Sequence, residues 1–119
     1  MTNILIVDDE TVALRILQYT LNKQGYSVQT ASSGDEALRL ASQTTFELMI
    51  LDISMPMMDG VELLTELRQL SETANTPIIM LTASSQDEDR VRAENAGANL
   101  YMTKPFSSQK ILEAVESLL

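Results

Sequence analysis

The sequence predicts an α/β fold, a doubly wound parallel sheet of five strands with helices on both faces, within a single domain over residues 1–119. Three observations carry this expectation. Apolar runs of about four residues (Ile4 to Val7, Leu48 to Leu51, Ile78 to Leu81) suit strands buried on both faces. Segments of helical period separate the strands, so that strand and helix alternate five times with short connections. No repeat, linker or low-complexity stretch interrupts the alternation, and the length allows one sizeable core but not a second domain.

Each element has a local reason. The first strand, Ile4 to Val7, leads into a helix in which Ala13, Ile16, Leu17 and Leu21 recur at three- and four-residue steps, predicting an apolar face on the sheet. Gly25 suits its C-cap. Tyr26 to Thr30 alternates and reads as an edge strand. Ser33-Gly34-Asp35-Glu36 fits a capping box, opening a helix with Ala37, Leu38, Leu40 and Ala41 on one face. Leu48 to Leu51 is a central strand, and Asp59-Gly60-Val61-Glu62 opens the third helix as an Asp capping box. Ile78 to Leu81 is the next central strand. Ser85-Gln86-Asp87-Glu88 opens the fourth helix and Gly97 closes it. Leu100 to Met102 is a short edge strand, and Ser107 N-caps the last helix.

Composition removes several function classes. With no histidine and no cysteine, the chain has no imidazole base, no thiolate nucleophile and no ligand set for structural zinc. A net charge of -9, with 8 Lys and Arg in no cluster, argues against direct nucleic-acid binding. The longest apolar run is too short to span a bilayer and the N-terminus lacks signal-peptide features, so no membrane association and a cytoplasmic location are expected.

In doubly wound sheets, function sits at the carboxyl ends of the strands. There the sequence places Asp8 and Asp9 after the first strand, Asp52 after the third, Thr82 after the fourth and Lys104 just past the fifth. Two carboxylates about 4 Å apart repel by roughly 4 kcal/mol at an effective dielectric near 20, so three gathered together require a counter-charge. Lys104 supplies one charge, and an all-oxygen donor set selects a hard divalent ion, Mg²⁺. A carboxylate, a hydroxyl and an ammonium beside such an ion suit phosphoryl transfer, with Asp52 as nucleophile, Lys104 opposing developing charge and Thr82 donating to the bound group. Singly, Asp8 or Asp9 fits a helix cap and Asp52 a turn residue; their joint placement at successive strand ends favours the site.

These residues resemble the receiver domains of two-component response regulators. The likeness rests on Ile6-Val7-Asp8-Asp9-Glu10, on residues 51–60 (LDISMPMMDG), on Leu81-Thr82-Ala83 and on residues 97–106 (GANLYMTKPF), and it covers essentially the whole chain. The resemblance implies the flavodoxin-like strand order 2-1-3-4-5. It further implies Asp52 as phosphoacceptor, Asp9 as a direct Mg²⁺ ligand, Asp8 as an acid holding the metal largely through water, and Ser54 as donor of a backbone carbonyl to the metal. Thr82 and Tyr101 match the switch pair, Lys104 matches the phosphate-binding lysine, and the bond from Lys104 to Pro105 is usually cis in the family.

The function so implied is a signalling receiver rather than an enzyme of multiple turnover: a histidine kinase or histidine phosphotransfer protein passes a phosphoryl group to Asp52, and the surface of the fourth helix, fifth strand and fifth helix changes. The implied partners are that donor, a downstream protein or fused output domain, and a second copy of the chain on phosphorylation. Two alternatives stand beside it. A Mg²⁺-dependent aspartyl-phosphate phosphatase of the haloacid-dehalogenase kind usually carries a second Asp where this chain has Ser54; a degenerate receiver would act only as a binding module. Flavin or dinucleotide binding lacks a G-x-G-x-x-G after the first strand.

Overall fold

The computed structural model describes residues 2–83 and 87–119. Five strands and five helices alternate: β1 (Asn3–Val7), α1 (Thr11–Lys23), β2 (Ser27–Ala31), α2 (Gly34–Gln43), β3 (Leu48–Asp52), α3 (Gly60–Gln69), β4 (Ile78–Thr82), α4 (Asp87–Ala96), β5 (Leu100–Thr103) and α5 (Ser108–Leu118). All strands are parallel in the order β2-β1-β3-β4-β5, so β2 and β5 form the edges, as their patterns predict. The register sets Ile4 against Leu48 and Val7 against Leu51, and Asp52 against Leu81. The carboxyl ends of β1, β3 and β4 therefore lie side by side.

Side chains alternate across the sheet with period two, which divides the core into two layers. Leu5, Val7, Met49 and Leu51 point to the side covered by α2, α3 and α4, where they meet Leu63, Leu64 and Leu67. Ile4, Ile6, Leu48 and Ile50 point to the other side, against Leu17 and Leu21 of α1 and Ile111 and Val115 of α5. Every residue of β3 and β4 is buried, which is why these strands read as unbroken apolar runs instead of alternating ones.

The helix signals act locally. Asp59 caps α3 with a complete capping box, and Ser107 accepts a hydrogen bond from the Lys110 N–H at the start of α5. Ser33 accepts from the Glu36 N–H, but the Glu36 carboxylate reaches past it to the Ser32 N–H, so only half of that predicted box forms. The Ser85-Gln86-Asp87-Glu88 signal lies partly outside the described residues. Gly25 and Gly97 follow α1 and α4 with φ of +94° and +104°, the left-handed conformation that glycine adopts without penalty.

One predicted core position differs. Ile16, placed on the sheet-facing side of α1, is 55% exposed, because α1 buries only Leu17 and Leu21 fully and turns Ile16 outward beside Val12 and Tyr19. α4 is also unusual: Ala93 is its one buried residue, and polar ties hold it instead. Arg92 pairs with Asp59 at 3.1 Å, and Arg68 of α3 donates to the Gly97 carbonyl just past the helix. Among the described residues, no helix is long and apolar enough to cross a membrane.

Candidate functional site

Parallel register brings the ends of β1, β3, β4 and β5 to one rim, and each end supplies a polar group. Asp8 follows β1 and is 1% exposed; its N–H donates to the Ala31 carbonyl at 3.1 Å, which extends the strand pairing by one residue and fixes the side chain inward. Its two carboxylate oxygens take separate partners. Oδ1 accepts from the Glu10 N–H at 2.9 Å, and Oδ2 accepts from Lys104 Nζ at 2.8 Å. Asp52 ends β3 at 3% exposure, with Oδ1 3.6 Å from the same ammonium.

The loop after Asp52 folds back tightly against it. The Gly60 N–H donates to the Ile53 carbonyl at 3.0 Å, and a Cβ at Gly60 would stand 2.3 Å from the Asp52 carbonyl oxygen. Only glycine permits this approach. Met57 lies in the same loop with φ of +70° and its side chain fully exposed.

Lys104 is steered by its backbone as well as its charge. Its N–H donates to the Thr82 carbonyl at 2.7 Å, and its peptide bond to Pro105 is cis, in agreement with the expectation. Burial alone lowers the lysine pKa, yet the hydrogen bond to Asp8 and the charges of Asp52, Asp8 and Glu10 outweigh it and raise the pKa above its ordinary value. The ammonium is therefore firmly protonated. The Asp52 pKa also rises, to about 6 from an ordinary 3.8, which for a carboxylate favours the neutral form: burial raises it most and Asp8 adds to this, while Lys104 and the Ser54 N–H oppose, and Asp9 raises it a little further.

Thr82 ends β4 fully buried, and Tyr101 of β5 lies half-buried in hydrogen-bond contact with it. Burial chiefly, together with Asp89, raises the Tyr101 phenol pKa, while the bond with Thr82 and the charge of Arg90 lower it. The sequence-predicted residues Asp8, Asp52, Thr82, Lys104 and Tyr101 thus form one connected set.

Asp9 and Ser54 stand differently. Both are exposed. Ser54 presents its N–H to the Asp52 carboxylate, and Asp9 acts on Asp52 only as the smallest contributing charge. The tight acidic cluster instead comprises Asp8, Glu10 and Asp52, each of which brings one carboxylate oxygen to within 4.8 Å of the others. Glu10 was not among the site residues expected from sequence. The usable signal was the two-residue spacing, which puts Asp8 and Glu10 on one side of an extended segment and Asp9 on the other. Glu10 is the N-cap of α1, but its side chain caps nothing and turns toward Lys104 at 3.8 Å.

The donor set fits a hard divalent cation. Three carboxylates converge, two of them buried, with one ammonium against them, and the chain contains no imidazole or thiolate to favour a softer metal.

Comparison with known proteins agrees with the geometry. The family model described as the response regulator receiver domain matches residues 4–116. The alkaline phosphatase synthesis transcriptional regulatory protein PhoP of Bacillus subtilis is 43% identical over 116 residues, which cover 98% of this chain and 48% of PhoP. Chemotaxis protein CheY4 of Vibrio cholerae superposes with a TM-score of 0.96 at 34% identity, covering 100% of this chain and 99% of that one. The receiver domain of sensor histidine kinase PA1611 from Pseudomonas aeruginosa, solved with a magnesium ion coordinated in its active-site cleft, superposes with a TM-score of 0.91 at 29% identity, covering 98% and 96%. The chain spans about half the length of the curated relatives it matches.

Proposed function

The chain belongs to the response regulator receiver domain family of two-component systems, whose members are phosphorylation-dependent signalling modules, and from that premise we propose that Asp52 accepts a phosphoryl group from a phosphohistidine on a partner kinase or phosphotransfer protein. The observation that carries this reading is the triangle of Lys104, Asp8 and Asp52: one ammonium lies 2.8 Å from the first carboxylate and 3.6 Å from the second, at adjoining strand ends.

In the transfer, an Asp52 oxygen forms the new bond to phosphorus as the bond from phosphorus to the imidazole nitrogen breaks, and the imidazole leaves with the electron pair and takes up a proton. Asp8 orients Lys104, whose ammonium opposes charge on the phosphoryl oxygens. Asp8 and Asp52, with Asp9, Glu10 and the Ser54 carbonyl as further candidate donors, would hold Mg²⁺, which when bound would supply additional positive charge to those oxygens. Its presence in the similar PA1611 receiver supports this assignment. The Thr82 hydroxyl then turns to the phosphoryl group and gives up its contact with Tyr101. The ring moves inward, altering the face of α4, β5 and α5 that a downstream protein, an output domain or a second copy of the chain reads.

Intact-mass analysis after incubation with acetyl phosphate tests the assignment. The expected result is a single acid-stable, base-labile phosphoryl adduct that requires Mg²⁺ and is absent from Asp52→Asn; unchanged labelling of that variant overturns it.

A further inference from the structure

Glu10 has a place in the site that neither capping nor burial explains. Its N–H is fixed by Asp8, its side chain leaves the helix N-terminus uncapped, and its carboxylate joins Asp8 and Asp52 in the cluster. Yet its side chain is 69% exposed, against 1% for Asp8 and 4% for Asp52. Glu10 also lines, with Lys104, Pro105, Phe106, Ala13 and Ile16, a cavity of about 290 Å³ between α1 and the segment after β5. A charge so placed stands between the buried acids and the water from which any phosphoryl donor arrives.

We infer that Glu10 is a specificity-determining residue of this site, an exposed carboxylate that strengthens the hold on a divalent cation and discriminates against small phosphoryl donors according to their negative charge. The inference rests on the proposed phosphoryl acceptance at Asp52. Three carboxylates, Asp8, Glu10 and Asp52, lie within 4 Å of the Lys104 ammonium, and Asp9 adds a fourth negative charge felt at Asp52, so with one divalent ion bound the site keeps a negative excess. Within a Debye length of a donor's phosphoryl oxygens, one more fixed negative charge acts in proportion to the donor's own charge. Because Glu10 is solvated, it exerts this effect without the desolvation cost that a fourth buried acid would carry.

The test compares wild type, Glu10→Gln and Glu10→Asp at saturating Mg²⁺, with acetyl phosphate (a dianion at neutral pH) and phosphoramidate (a monoanion) as donors and intact mass as readout. Glu10→Gln is expected to accelerate labelling roughly tenfold with acetyl phosphate and roughly threefold with phosphoramidate, with both gains shrinking at high salt. Calorimetric titration without donor should show the opposite sign, a Mg²⁺ dissociation constant raised roughly five- to tenfold. Glu10→Asp, which keeps the charge, should recover most of the wild-type behaviour in both measurements. Equal effects on the two donors, no effect, or a gain insensitive to salt would overturn the inference, because a merely structural role gives those results. If the wild type takes label from neither donor, the proposed function fails by itself; the charge role is then decided by the titration, and an unchanged Mg²⁺ affinity in Glu10→Gln defeats it.

Discussion

Lys104 and Asp8, 96 residues apart in sequence, form the shortest ion pair among the described residues, with Nζ 2.8 Å from Oδ2 and the carboxylate almost wholly buried. The pair is the electrostatic keystone of the rim: the same ammonium stands 3.6 Å from Asp52 and 3.8 Å from Glu10.

Removing that ammonium leaves two buried carboxylates facing each other. Lys104→Ala is expected to destabilise the metal-free protein by about 2–4 kcal/mol, since a charge left uncompensated in a buried site costs more than the pair contributes. A cation that binds only the folded chain offsets part of this loss. Urea unfolding with EDTA and with millimolar Mg²⁺ checks both statements; a variant as stable as wild type in EDTA contradicts them.

Asp52 makes stability depend on pH. Its folded pKa of about 6 lies above the ordinary 3.8, so between these values the folded chain binds more protons than the unfolded one and stability falls as pH rises. The favourable contribution is fully present below pH 3.8 and lost by the time pH passes about 6. Asp52→Asn, which cannot ionise, should gain roughly 1–2 kcal/mol over wild type at pH 7 to 8 in EDTA, a figure reduced for solvent screening at the open side of the site. Urea midpoints of the two proteins from pH 4 to 8 should diverge upward through that window.

Gly60 ties the fold to the site. In Gly60→Ala the new methyl group meets the Asp52 carbonyl oxygen at 2.3 Å, and both partners are backbone or backbone-bound, so neither can swing away. A loss of about 2–3 kcal/mol is expected, together with slower Mg²⁺-dependent labelling of Asp52 as its loop is pushed out of place. Wild-type labelling kinetics in a folded variant would disprove the link between this close approach and the placement of Asp52.

Arg68 acts at the other end of the sheet. Its guanidinium donates to the carbonyls of Thr73, Ala74, Thr76 and Gly97 and to Asn99 Oδ1, which in turn accepts from the Ile78 N–H at the start of β4. Arg68→Ala is expected to cost about 2–3 kcal/mol by orphaning these acceptors, with Mg²⁺ affinity unchanged because the site lies at the opposite strand ends. Thermal unfolding and calorimetry on the same samples separate the two effects.

The alternation of strands and helices, the central and edge strands, and three helix N-caps are legible in the order of residues, because periodicity and capping depend on residues within about four positions of one another. That order also places Asp8, Asp52, Thr82 and Lys104 at strand ends, since an apolar run that stops at a polar residue marks its own boundary. Strand order came from family resemblance and not from pattern. Direction and partnership emerge only on folding: Ile16 faces water, Glu10 and not Asp9 closes the acidic cluster, and Lys104 lies nearer Asp8 than Asp52. Such outcomes turn on rotations of a single bond and on register between segments up to 96 residues apart, and packing of the whole sheet sets them.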